Sequence, residues 1–301
     1  MDYKHETLEY IDQITRERGQ KVYKSTELVQ KARYTLKPIE QKTLLYAISK
    51  IKPSDNIDTE YTFEIKDFLN ICGLTNKNYT QLKKIIKELA DKSWWMLDDK
   101  ENEYVVRWLD TVRIEKGKGT IKLRFHREMM PFLIDLSAEE TFITKYQLKY
   151  ILPMSSAYSI RLYEILKSYS NRKNWFFDID DIKRLLDCKH YKNYNDFKKR
   201  VLIPAIEEIN KYTDIYVSHE EHRDGRKVYK ISFYFDEKTN DEKWESHETL
   251  MEELDGQMYF EELLEKIENY TEKEREFNEE REKIHQKEKK NTKSRLLKDD
   301  E

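Results

Sequence analysis

Between Lys37 and Ile51 the apolar residues Leu44, Leu45, Ile48 and Ile51 recur at helical spacing, and Pro38 stands where a first turn tolerates a missing amide; this predicts a helix. A brief strand at Thr62–Ile65 follows, then a short helix at Asp67–Cys72 closed by Gly73. Tyr79–Asp91 reads as an amphipathic helix with Leu82, Ile85, Ile86 and Leu89 inward and Lys83, Lys84 and Lys87 mostly on its other side. Trp94–Leu97, Tyr104–Glu115 and Thr120–His126 have the aromatic, β-branched and alternating character of strands. Lys116-Gly117-Lys118-Gly119 separates the last two, a tip that turns tightly and still presents charge.

The same order then returns. Ser155–Ser170 is an apolar-faced helix, Trp175–Ile179 a strand, and Ile182–Leu186 a short helix with Asp180 as its expected N-cap. Tyr194–Tyr212 is a second lysine-bearing helix, with Phe197, Val201, Ala205 and Ile209 inward. Pro204 removes the amide that would bond the Arg200 carbonyl, so a kink or break is expected there. Strands at Ile215–His219 and Val228–Phe235 flank Arg223-Asp224-Gly225-Arg226-Lys227, where Asp-Gly signals a hairpin. Phe63-Glu64-Ile65-Lys66-Asp67-Phe68 matches Phe177-Asp178-Ile179-Asp180-Asp181-Ile182 at an offset of 114 residues, and Asn78-Tyr79 matches Asn193-Tyr194 at 115. The chain therefore reads as α+β, with one helix-plus-wing unit present twice.

Charge sharpens this picture. The 301 residues are 38% hydrophobic and 38% charged, more charged than an average globular chain, and the excess sits at the end. Asp241–Glu301 carries a net charge of −9; with −3 for the whole chain, residues 1–240 carry +6. A basic body suits a polyanion, and its acidic tail does not. The expected boundaries are an N-terminal arm at 1–24, a first domain at 25–136, a second at 137–239, and a charged helical or disordered tail at 240–301. Cys72 and Cys188, the only cysteines, stand in apolar helical contexts, which implies a reducing compartment. No apolar run approaches the ~20 residues of a membrane span, and Met1–Tyr10 is charged where a signal peptide would be apolar. A cytoplasmic protein without membrane attachment is expected.

Two basic helices, each followed by a basic hairpin tip, point to duplex DNA. In the second copy the candidate contacts are Lys192, Asn195, Lys198, Lys199, Arg200, Arg223, Arg226 and Lys227, with Arg200 able to reach a guanine edge. In the first they are Lys77, Lys83, Lys84, Lys87, Lys116 and Lys118, which suit phosphate more than bases. Exposed lysines on one helix often do no more than solvate it; their repetition at equivalent places argues for function. Trp94, Trp95, Trp108 and Trp175 fall in or beside apolar strands and are expected to fill cores. Enzymatic chemistry finds little support. A nicking enzyme needs His-x-His for a metal, and none occurs; His219 and His222 fall on opposite faces of a strand. Asp178 and Asp180 share a strand face but are explained by helix capping. Phosphate-loop, Gly-x-Ser-x-Gly and zinc-spaced cysteine patterns are missing as well. No catalytic residue, metal or cofactor is expected.

Tyr34-Thr35-Leu36-Lys37-Pro38-Ile39-Glu40-Gln41-Lys42 with Leu44–Ile51, Tyr158–Leu166, and Phe197-Lys198-Lys199-Arg200-Val201-Leu202-Ile203-Pro204-Ala205-Ile206 resemble the plasmid replication initiators of the Rep_3 family, RepB/RepE-like, over roughly Leu28–Asp236. The resemblance implies two tandem winged-helix domains that bind direct repeats (iterons) at a plasmid origin. It further implies duplex opening, recruitment of host replication proteins such as the host initiator and helicase, and repression of the initiator's own promoter by a homodimer. Strand cutting is not implied. The helix with Lys198, Lys199 and Arg200 would match the family's major-groove reader, although Ile203 departs from the polar residue expected there. A winged-helix repressor without a replication role, or a nicking initiator, stays open as an alternative.

Overall fold

The computed structural model describes residues 16–72, 79–97, 102–115, 118–134, 136 and 143–255, all within one compact unit, Met1–Phe260. Strand β1 (Lys21–Ser25) runs directly into α1 (Thr26–Lys31), whose first turn is capped by Ser25 Oγ accepting from the Leu28 amide at 3.1 Å. Helix α2 (Pro38–Ile48) opens on its proline, and the Glu40 carboxylate reaches back to the Lys37 amide at 2.7 Å. Every residue of α2 is buried, so it supports the structure from inside rather than lying on its surface.

The first module continues with β2 (Tyr61–Glu64), α3 (Ile65–Ile71), α4 (Tyr79–Ala90), β3 (Ser93–Leu97), β4 (Glu103–Arg107), β5 (Leu109–Ile114) and β6 (Thr120–Phe125), and β7 (Ile143–Gln147) leads out of it. The second comprises α5 (Ala157–Lys167), β8 (Asn174–Asp178), α6 (Ile179–Leu185), α7 (Tyr194–Phe197), a π-helical turn (Lys198–Leu202), α8 (Ile203–Tyr212), β9 (Ile215–Asp224) and β10 (Lys227–Glu237). Their antiparallel sheets share one topology, β2-β6-β5 and β8-β10-β9. They also share a register: Phe63 stands opposite Ile121 in the first, and Phe177 opposite Ile231 in the second, all four buried. The 114-residue repeat is thus a repeat of side-chain direction as well as of sequence, since a one-residue slip would turn either phenylalanine to solvent.

Several elements differ from expectation, each for a local reason. Lys21–Lys24, placed in the arm, is a strand paired with β7 (Val22 opposite Tyr146, Lys24 opposite Thr144). The stretch Tyr104–Glu115 is broken at Trp108, whose buried ring packs against Trp94 at 6.0 Å and draws the chain inward. The result is a separate β3–β4 hairpin with no counterpart in the second module. Trp94 and Trp108 fill the core as expected, but Trp95 is 46% exposed because alternation along β3 turns it outward. Trp175 is half-buried and stacks on Tyr169 at 4.4 Å. The N-cap of α6 is Asp178 rather than Asp180, because β8 hands over to the helix directly after the Asp178–Lys230 pair. Cys72 and Cys188 are both buried thiols.

The second wing turns through Gly225 and Arg226, with Lys227 paired to Asp224. Gly225 has φ +55°, and an added Cβ would meet no atom within 4 Å. Gly225→Ala should therefore cost only the left-handed backbone penalty, ~1–2 kcal/mol, read as a shift in urea midpoint; a larger loss would reveal a contact at the tip. After β10, α9 (Asn240–Asp255) packs on α8, with Lys238 Nζ donating to Ser246 Oγ at 2.7 Å. Among the described residues no helix is long and apolar enough to cross a membrane.

Candidate nucleic-acid interface

The rod α7–π turn–α8 carries the second cluster. Asn193 caps it by accepting from the Asn195 amide at 2.8 Å. Pro204 supplies no amide to the Arg200 carbonyl, and the chain answers with a π-helical turn over Lys198–Leu202 rather than a break. The extra residue shifts the helical phase, so Leu202 and Ile206 are buried along with Phe197, Val201, Ala205 and Ile209. Lys199 is exposed, while Lys198, Arg200 and Ile203 are half-buried. A plain helical wheel puts Arg200 and Ile203 on the outer face; the π turn rotates them toward its edge.

Strand β9 passes beneath this rod and out into the wing. Its helix-facing positions Ile215, Val217, His219, Glu221 and Arg223 change from buried apolar to exposed cationic along the way. Glu221 is the node. One carboxylate oxygen accepts from Lys198 Nζ at 2.7 Å and from the Tyr194 hydroxyl at 2.8 Å, and the other accepts from Arg223 at 2.5 Å. Burial works against its charge, yet these hydrogen bonds outweigh it and hold the carboxyl down at about 2. Burial and the nearby Lys198 ammonium lower the His219 imidazole. His222 faces the other way and bonds Ser232 Oγ at 2.7 Å, so the two histidines do lie on opposite faces.

A cleft of about 570 Å³ opens between the start of α6, the lead into α7 and the wing, lined by Asp178, Lys183, Lys192, Asn195, Arg223 and Arg226 among others. Lys183 is buried there and donates to the Tyr191 carbonyl at 2.7 Å. Lys192, Lys199, Arg226 and Lys227 are exposed and form no ion pair with any described residue. Lys192, Asn195, Arg223, Arg226 and Lys227 thus share one cleft, and Lys198 is tied to Arg223 through Glu221, while Lys199 and Arg200 lie in the π turn of the rod. Glu221, Tyr194 and Lys183 were not singled out from sequence; counting alternate residues back along β9 from Arg223 would have found Glu221 on the helix side.

The first cluster is sparser. On α4, Leu82, Ile85, Ile86 and Leu89 are buried, Lys84 and Lys87 are exposed, and Lys83 is half-buried. Lys84 lies 3.9 Å from Glu88, which also takes Lys37 at 3.1 Å. At the first wing Lys118 is exposed and pairs with Glu115 at 3.4 Å, beside Lys122 at 3.2 Å. Lys77 and Lys116 lie outside the described residues. Among the described residues no group of three or more His, Cys, Asp or Glu is placed to hold a metal.

Residues 21–167 match the family described as Initiator Replication protein, WH1, and residues 178–235 match Initiator Rep protein, WH2. Together the two matches span more than two thirds of the chain. The PI protein of Escherichia coli is 31% identical over 149 residues, 44% of this chain and 47% of that protein, so the chain aligns with about half the length of this curated relative. The crystal structure of Pi initiator protein in complex with iteron DNA aligns with a TM-score of 0.61 at 21% identity, covering 74% of this chain and 99% of that one. With its repeated sheet topology and its two matched halves, the chain belongs to the plasmid replication initiator (Rep) family and carries the family's WH1 and WH2 winged-helix domains in tandem.

Proposed function

We propose that this protein initiates plasmid replication by binding direct repeats at the origin, with the α7–α8 rod of the second domain as the base reader and both wings on phosphate. The observation that carries this reading is the set of exposed cations without ion pairs among the described residues: Lys192, Arg226 and Lys227 line one cleft between the lead into the rod and the wing, and Lys199 stands exposed on the rod itself. Such cations attract a polyanion and release its counterions. Helix α4, with Lys83, Lys84 and Lys87, engages the neighbouring stretch of backbone. Two readers on one face of B-DNA sit about one helical turn, ~34 Å, apart. Strain between them favours opening of an adjacent A·T-rich segment. Recruitment of host replication proteins and autorepression by a homodimer complete the proposal.

Footprinting on the DNA upstream of the gene tests it: tandem repeats of about two helical turns should each be protected across both grooves contacted. Arg200→Ala should cost ~1–3 kcal/mol and relax specificity at one base pair, whereas Lys83→Ala should weaken repeat and random duplexes alike. Equal behaviour of the two variants on both duplexes would reject the division between reader and backbone clamp. A plasmid bearing the gene and its repeats should replicate in a suitable host, and repression without replication would demote the protein to a transcriptional repressor.

A further inference from the structure

The tightest polar cluster on the proposed DNA surface is centred on an acid. Glu221 is the wrong charge for contact with phosphate, yet its side chain, 12% exposed, lies between the reading helix and the wing and collects one cation from each. Lys198 comes from the π turn and Arg223 from the outgoing strand, and Tyr194 from the first turn of the rod bonds the same carboxylate. Three donors on two oxygens fix the wing strand to the start of the rod. They also engage two of the eight second-domain candidates in ion pairs.

We infer that Glu221 is a positioning and specificity-determining residue: it locks the rod to the wing and offsets two cations, suppressing sequence-independent binding. This rests on the DNA-reading role proposed above. Loose cations gain affinity on any duplex, because a phosphate is present wherever they land. Cations held by a carboxylate contribute only when the docked geometry brings a phosphate or base edge close enough to share or replace it. The acid therefore costs affinity on random DNA and less on a matched repeat, and that difference is specificity. Glu115 in the first wing, between Lys118 and Lys122, has the same arrangement in simpler form.

The test compares wild type, Glu221→Gln and Glu221→Asp by fluorescence anisotropy on two duplexes, one carrying the repeats upstream of the gene and one of scrambled sequence, across 50–300 mM salt. Glutamine keeps an acceptor for Tyr194 but releases the charge. Its affinity for the scrambled duplex should rise about fivefold at 150 mM salt for each cation released, and its salt slope should steepen by ~0.9 per cation. Its preference for the repeats should fall by a similar factor. Aspartate restores the charge, and its slope on the scrambled duplex should return to the wild-type value. Parallel weakening on both duplexes with unchanged slopes, or aspartate behaving as glutamine does, would overturn the inference. Failure of wild type to prefer the repeats would instead refute the DNA-reading role itself.

Discussion

Glu164→Ala is expected to lower the unfolding free energy by ~3–5 kcal/mol, as for removal of one partner from a buried charge pair. Glu164 on α5 has no exposed surface and takes Lys24 of β1 as its ion pair, the Tyr146 hydroxyl at 2.5 Å and the Tyr34 hydroxyl at 3.3 Å. Arg161, one turn earlier, lies 4.0 Å from the same carboxylate. Burial works against the Glu164 charge, and the Lys24 and Arg161 charges outweigh it, so the carboxyl stays below its ordinary range. A folded value below the unfolded one, about 4.3, stabilises the protein fully above that pH. The contribution is lost as pH falls through the folded value. Truncation leaves Lys24 buried without a counter-charge. Urea unfolding should show the midpoint falling at constant slope; Lys24→Met with Glu164→Leu should recover part of the loss, because Lys24 is then no longer stranded while Arg161 and the two tyrosine hydroxyls still lose their acceptor. An unchanged midpoint in Glu164→Ala would show that water reaches the site.

The same cluster ties the two modules. Arg161 donates to the carbonyls of Val29 and Ala32 at 2.7 Å each, and at 3.4 Å to that of Leu185 at the end of α6. One guanidinium therefore closes the C-terminal end of α1 and touches the second winged helix. Loosening it should separate their unfolding into two transitions in calorimetry, where the intact protein should show one.

How much of this was legible in the sequence depends on which force placed each residue. Phe63 and Phe177 could be read because strand alternation fixes their direction whatever surrounds them. Leu82, Ile85, Ile86 and Leu89 could be read for the same reason at helical spacing. Trp108 could not, because the break it makes comes from its contact with Trp94 and not from any glycine or proline nearby. Lys24 reads as the last residue of an N-terminal arm; only Glu164, 140 residues away, makes its burial tolerable. The cations of the second reader were legible as a group. Their ranking was not, because Pro204 is absorbed by a π turn that moves Arg200 toward the edge and leaves Lys199 outermost. Hydrophobic period carries local direction, whereas partners distant in the chain decide the fate of charges.

Binding to the repeat duplex should weaken ~10³-fold between 50 and 200 mM salt, the loss expected when about six phosphates are neutralised. Six is a physical count: Lys192, Lys199, Arg226 and Lys227 stand exposed on the second domain, and Lys84 and Lys87 on α4 of the first. Lys198 and Arg223 are left out because Glu221 holds them at 2.7 and 2.5 Å, whereas Lys84 stays in the count because Glu88 stands 3.9 Å from it. Each neutralised phosphate contributes ~0.9 to the slope of log affinity against log salt, giving ~5.4 for the set. Arg226→Ala with Lys227→Ala removes two wing cations without touching the core, since both side chains are exposed and Val228 beside them stays buried. The slope should fall to ~3.6 and the loss over the same salt range to ~10²-fold, on repeat and scrambled duplexes alike. Lys84→Ala with Lys87→Ala should do the same if both domains lie on the DNA together. A slope that responds to the wing variant and ignores the α4 variant would leave only the second winged helix on the duplex, and the tandem grip would be rejected.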